Sequence, residues 1–198
     1  MLRAPSFSTA RLSYRSTEPG DEAFFKRMWA DEATLFGAMG NPCAPWSPRQ
    51  REGHMKYIQG ASLSVIIHLK KGHENDDEIP VGWMDLNEPA KGSQHRCAQF
   101  DMSLAKEHQG KGYGREALEW LLETAFLRFG FNRVEAQCFS WNEPALRLYK
   151  SLGFVVEGCR RKAMFQEGEW RDDIMFGMLQ EEWRAAHQDK LQPVQKSG

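Results

Sequence analysis

Several features that would point to common functions are missing from this chain. No apolar run approaches the roughly 18 residues of a membrane-spanning helix, so no membrane partner is expected. Charge of one sign is not in excess: 26 basic residues face 27 acidic ones, for a net charge of −1. That balance argues against a dedicated nucleic-acid binder. Cysteine is sparse, with Cys43, Cys97, Cys138 and Cys159 far apart and no C-x-x-C pair. The spacing supports neither a metal site nor a redox motif, and reduced thiols in a cytoplasmic protein are expected. Internal repeats and low-complexity segments are also lacking. What remains is 198 residues with 41% hydrophobic content, enough for one domain with a substantial core. That domain is placed at residues 8–188, followed by a flexible tail over 189–198.

The densest local signal is Gln109-Gly110-Lys111-Gly112-Tyr113-Gly114-Arg115. An apolar-alternating stretch over 98–104 precedes it, and a long amphipathic pattern comes after it. Strand, glycine-rich turn and helix together make an anion cradle. Glycines let backbone N–H groups converge, and the helix N-terminus adds partial positive charge. Two familiar nucleotide motifs are excluded. Lys111 is followed by Gly112 rather than Ser or Thr, and Gly110, Gly112 and Gly114 do not fit G-x-G-x-x-G. The pattern that fits is Gln-x-x-Gly-x-Gly.

The pattern predicts a helix from Gly112 to Phe129, about 27 Å long at 1.5 Å per residue. Ala117, Leu118, Leu121, Leu122, Ala125, Phe126 and Phe129 recur at three- and four-residue steps and mark its buried face. A strand is predicted over 133–139. A second helix comes next, with Asn142 as N-cap, Pro144 in its first turn and Gly153 at its end. Leu146, Tyr149 and Leu152 share one side of it.

Taken together, Gln109-x-x-Gly112-x-Gly114 and Asn142-x-x-Ala145-x-x-Leu148-Tyr149-x-x-x-Gly153-Phe154 resemble the GCN5-related N-acetyltransferase (GNAT) superfamily. The run from Glu107 to Gly112 and the Leu148-Tyr149 pair resemble its spermidine N-acetyltransferases, with ribosomal-protein N-terminal acetyltransferases as close relatives. The resemblance is strongest over 97–179 and looser over 8–90.

The resemblance implies acetyl-CoA as co-substrate. It places the backbone of Met102, Ser103 and Leu104 along the pantetheine arm. Gln109, Gly110, Lys111, Gly112, Tyr113, Gly114 and Arg115 are expected around the pyrophosphate, with Lys111 and Arg115 adding positive charge. Asn142 is expected to hydrogen-bond the pantetheine. The helix carrying Ala145, Arg147 and Lys150 flanks the cofactor. Tyr149 is the implied general acid. A phenol of pKa about 10 is protonated at neutral pH and can protonate a departing thiolate whose thiol has pKa about 8.5. The attacking amine must lose a proton, and Asp101, Asp85 and His108 are the candidate bases by location. Asp85 and Asp101 are expected on adjacent central strands.

Elsewhere, strand one is predicted near 11–16. Helices are predicted over 20–30 and from Ser47-Pro48 to about Ile58, with 31–46 irregular. Phe36, Trp46 and Tyr57 are candidate acceptor-pocket residues. Strands are predicted at 64–69 and 81–86, separated by a polar connection over 70–78. Two final strands join at Gln166-Glu167-Gly168-Glu169, and a short helix begins at Gln180. The first 17 residues contain three arginines and no acid, the composition of a mitochondrial presequence. Yet Thr9-Ala10-Arg11-Leu12-Ser13-Tyr14-Arg15 resembles the family's first strand, so a cytoplasmic location is expected. The predicted order β-α-α-β-β-β-α-β-α-β-β gives an α/β (α+β) fold: a mixed, mostly antiparallel sheet with helices on both faces.

The expected acceptor is a small amine or a peptide, with a polyamine slightly favoured. A non-catalytic acyl-CoA sensor and a different acyl donor such as succinyl-CoA are the alternatives. A homodimer is a possible assembly.

Overall fold

The computed structural model describes residues 6–38, 44–70, 78–88 and 93–188. The 189–198 tail, Cys43 and most of the polar connection after Lys70 lie outside the described residues. The chain order is β1 (Leu12–Ser16), α1 (Glu22–Ala30), α2 (Glu32–Ala38), α3 (Pro48–Gln59), β2 (Leu63–Leu69), β3 (Ile79–Asn87) and β4 (Cys97–Leu104). It continues with α4 (Tyr113–Glu123), β5 (Arg133–Phe139), α5 (Glu143–Leu152), β6 (Val155–Gln166), β7 (Glu169–Leu179) and α6 (Gln180–Ala186).

The strands form one seven-stranded sheet in the order β1-β2-β3-β4-β5-β7-β6. Every neighbouring pair is antiparallel except β4 and β5. Helices cover both faces because successive strand residues point to opposite sides. In β2, Val65 and Ile67 join a core with α4, α5 and α6, whereas Ile66 faces Phe25, Met28 and Ile58 of α1 and α3.

Two expectations are corrected. Residues 32–38, read as irregular, are helical. Asp31 Oδ2 accepts the Thr34 backbone N–H at 3.1 Å and so caps the first turn. Leu35 is the single large side chain that α2 buries, too few to show a periodicity in sequence. The helix expected through Phe129 changes character at Thr124 and continues to Phe129 as a π-helix. Each i→i+5 turn takes in an extra residue and rotates the residues beyond it about the helix axis. Phe129 therefore leaves the buried stripe and lies exposed, stacked on Phe131. The β6–β7 hairpin turns as expected: Glu167 and Gly168 both have positive φ, the requirement of a two-residue turn, and Gln166 pairs with Glu169.

Candidate active site

Parallel strands β4 and β5 pair only where Cys97–Gln99 face Arg133–Glu135. Beyond Gln99, β4 has no partner on its β5 side, and the strands diverge. A cavity of about 560 Å³ opens between them. One wall is the unpaired end of β4, from Phe100 through Asp101, Met102, Ser103 and Leu104; Gln137, Cys138 and Phe139 of β5 form the other. The unpaired β4 edge offers main-chain groups that an extended amide-bearing ligand can bond as an added strand would.

The glycine-rich loop closes one end. Gly110 and Gly112 have φ of +72° and +82°, a left-handed turn that favours glycine. Gly112 is the N-cap of α4, so the first helical N–H groups open toward the cavity end where Gln109, Gly110, Gly114 and Arg115 also sit. The Gln109 side chain donates to the Leu104 carbonyl at 2.9 Å, bracing the loop against β4. Lys111 and Tyr113 do not line the cavity. They sit at the back of the loop, where Arg11 donates to the Lys111 carbonyl at 3.0 Å and its guanidinium lies 4.7 Å from the Tyr113 ring centre. Arg11 also pairs with Glu116 at 2.7 Å, and Glu116 accepts from Thr9. Burial tends to raise the Glu116 pKa, but the Thr9 and Arg11 hydrogen bonds outweigh it and hold the carboxyl below its usual range. The loop is thus anchored to the segment leading into β1.

Helix α5 forms the flank. Pro144, Ala145, Leu148 and Tyr149 line the cavity; Arg147 and Lys150 do not. Arg147 pairs instead with Glu143 at 2.9 Å on the exposed side. The Asn142 side chain is engaged at both ends. Its Oδ1 accepts from the Ala145 N–H at 3.2 Å, and its Nδ2 donates to the Gly37 carbonyl at 2.7 Å. With the Trp141 indole bonding the Phe36 carbonyl at 2.8 Å, this satisfies carbonyls near the C-terminal end of α2 and ties α2 to α5.

Tyr149 is 8% exposed, packed edge-on against Phe100 and Phe176. Burial first, then Cys138 and the charge of Asp101, raise its pKa, so the phenol keeps its proton throughout the neutral range.

Asp85 and Asp101 face each other directly across the β3–β4 ladder. Asp101 lines the cavity, and the Tyr57 hydroxyl donates to its Oδ2 at 2.7 Å. Burial raises the Asp101 pKa, and the Tyr57 bond opposes the rise. Asp85 lies behind it at 0% exposure. Asn87 donates to its Oδ1 at 2.7 Å, while Oδ2 has no hydrogen-bond partner. Burial, reinforced by the Asp101 charge, pushes Asp85 up to about 8. His108 lies elsewhere, in a separate cavity of about 210 Å³ beside Asp31 and Glu107.

The end of the main cavity toward α3 is lined by Thr34, Gly37, His54, Tyr57 and Trp83. Of the three aromatic residues expected there, Tyr57 is present. Trp46 is buried against Trp29, and Phe36 packs toward Trp141. His54 and Trp83 were not singled out by sequence. Each reads as a core residue until α3 crosses β3 and places their rings 5.2 Å apart.

A family model for the acetyltransferase (GNAT) domain matches residues 11–155. The uncharacterized N-acetyltransferase p20 of Bacillus licheniformis is 34% identical over 182 residues, covering 88% of this chain and 96% of that protein. The SPbeta prophage-derived uncharacterized N-acetyltransferase YokL of Bacillus subtilis is 35% identical over 88 residues, which covers 44% of this chain and only 50% of that relative. Among solved structures, spermidine N-acetyltransferase from Vibrio cholerae in complex with CoA and spermine matches with a TM-score of 0.73. That match covers 88% of this chain and 99% of that one at 23% identity, a likeness of fold.

Proposed function

Because the chain belongs to the GNAT acetyltransferase family, we propose that it transfers an acetyl group from acetyl-CoA to a primary amine. The observation that carries this reading is the opening of β4 from β5 beside a left-handed glycine turn at a helix N-terminus. Acetyl-CoA supplies an activated thioester. The β5-facing edge of Met102, Ser103 and Leu104, whose other edge pairs with β3, suits its pantetheine arm, and the Gly110–Arg115 turn suits its pyrophosphate. Asn142 lines the cavity and holds α2 to α5, and its amide keeps one N–H and one oxygen lone pair beyond those bonds to offer the pantetheine. Lys111, Tyr113, Arg147 and Lys150 are left to act at longer range, through charge or through loop support.

The amine nitrogen bonds the acetyl carbon as the carbon–sulfur bond breaks. An alkylammonium of pKa near 10.4 is about 0.1% neutral at physiological pH, so a base is needed. Asp101 is the candidate that reaches the cavity, and it takes the ammonium's proton before attack; the second nitrogen proton, lost after attack, restores the Tyr149 phenol. Tyr149 returns a proton to the coenzyme A sulfur. Burial disfavours tyrosinate, so Tyr149 holds its proton until charge develops on the sulfur. A polyamine, a peptide N-terminus and a small amine all fit this reaction. The test is calorimetry with acetyl-CoA, followed by thiol release with a panel of these amines. Cofactor binding with amine-dependent thiol supports the reading. Binding without thiol for any amine supports an acyl-CoA sensor.

A further inference from the structure

The face of β3 and β4 turned toward α3 carries Trp83 and Asp85 on one strand and their direct partners Ser103 and Asp101 on the other. The opposite face of the same strands is apolar core, with Met84, Leu86 and Phe100. Tyr57 and His54 of α3 cover the polar row, their rings 6.3 Å apart and 18° from parallel. Tyr57 is 44% exposed, so this wall opens to the outside.

We infer that the acceptor is a primary amine with one positive charge on an aromatic body, its ammonium at Asp101 and its ring against Tyr57, His54 and Trp83. This rests on the acetyltransferase reading and narrows its acceptor.

The charge count supports one ammonium. Side chains directly opposite in an antiparallel ladder lie about 5 Å apart at Cβ. Two carboxyls that close and that buried do not both ionise readily. Burial raises both pKa values, but Asp85 sits behind at 0% exposure with Oδ2 unpartnered, whereas Asp101 lines the cavity and has the Tyr57 hydroxyl to support its charge. The pair therefore presents a single negative charge near pH 7. No other carboxylate lines the cavity among the described residues. Residues 33–48, which run from α2 into α3, contain no charged side chain at all. A second or third ammonium would meet rings, backbone and neutral side chains such as Thr34 and Ser103, and desolvating a charge without a counter-charge is unfavourable.

The rings support the aromatic body. Aromatic faces hold both a flat apolar group and the rim of an ammonium. His54 is neutral in this wall, because burial pushes its pKa down to about 4, so it does not repel a cation.

The test is a comparison of kcat/KM for 2-phenylethylamine, spermidine and an alanyl peptide, with acetyl-CoA binding measured separately by calorimetry. 2-Phenylethylamine is expected to exceed spermidine by at least about tenfold, the scale set by leaving one charge unpaired, and to exceed the alanyl peptide, which has one ammonium but no ring, by about two- to tenfold. Equal or better turnover of spermidine or the peptide, with acetyl-CoA bound, overturns this inference and leaves the acetyltransferase reading standing. Failure of acetyl-CoA to bind overturns both. Tyr57→Ala is a second measure: the 2-phenylethylamine advantage over spermidine should shrink, and an unchanged ratio counts against the ring wall.

Discussion

The Tyr57 hydroxyl donates to Asp101 Oδ2 across 2.7 Å, joining α3 to the end of β4 that has no β5 partner. This bond favours the ionised carboxylate against the burial that opposes it. Removing it should raise the Asp101 pKa. A hydrogen bond to a charged group contributes about 1.5–3 kcal/mol, or roughly one to two pH units. Tyr57→Phe should therefore move the acidic limb of the kcat/KM profile upward by about one unit. Acetyl-CoA affinity, measured by calorimetry, should stay the same. An unmoved limb would remove Asp101 from the proton path.

Tyr149→Phe keeps the ring packing against Phe100 and Phe176 and deletes the proton donor. General-acid groups contribute about 10²–10⁴ in rate, so kcat should fall by about a hundredfold or more. Cofactor affinity should change little. Full turnover in this variant would reassign the acid.

Gly112→Ala tests the loop. A Cβ there would sit in a left-handed conformation at φ +82° and 3.3 Å from the Arg11 guanidinium. The conformation alone costs about 1–2 kcal/mol for an L-residue. Weaker acetyl-CoA binding is expected, by about tenfold, with a smaller effect on kcat in saturating cofactor.

Asp85 makes stability depend on pH. Its folded pKa of about 8 lies above an unfolded value near 3.9. The folded state thus holds the proton more tightly. The resulting stabilisation is complete below the unfolded pKa and is lost as pH rises toward 8. His54 has the opposite sign: its folded pKa of about 4 lies below the unfolded 6.5, so its contribution is present above 6.5 and lost on acidification. The Asp85 and His54 slopes oppose each other between about pH 4 and 6.5; above that the His54 contribution is constant, and Asp85 sets the fall to about 8, with the raised Asp101 adding in the same direction. Urea unfolding should show stability falling over that upper window at up to about 1.4 kcal/mol per pH unit. Asp85→Asn should flatten it.

Asn142→Ala removes a helix cap and the bond to Gly37. The cap alone is worth about 1 kcal/mol, which corresponds to a drop of about 2–4 °C in Tm for a domain of this size. Because α2 loses one of its ties to α5, the KM for both substrates should rise together.

Much of the frame was legible locally. Gly110 and Gly112 are glycines because the turn needs positive φ, and the stripe from Ala117 to Phe126 buries as its spacing says. Asn142 followed by Pro144 reads as a helix start from chemistry that spans three residues. Each of these is a short-range rule, so the order of residues suffices.

The acceptor end is different. Nothing in the order of residues brings Tyr57 to Asp101, 44 positions later, or sets Trp83 against His54. Those contacts exist because α3 crosses β3 and β4 at one angle and because the ladder register puts Asp85 opposite Asp101. Likewise, a cleft forms between β4 and β5 only because their pairing stops after Gln99. Local backbone preferences specify turns, caps and faces within a few residues. Which faces then meet is a property of the packed whole, where long-range burial outweighs any one local preference.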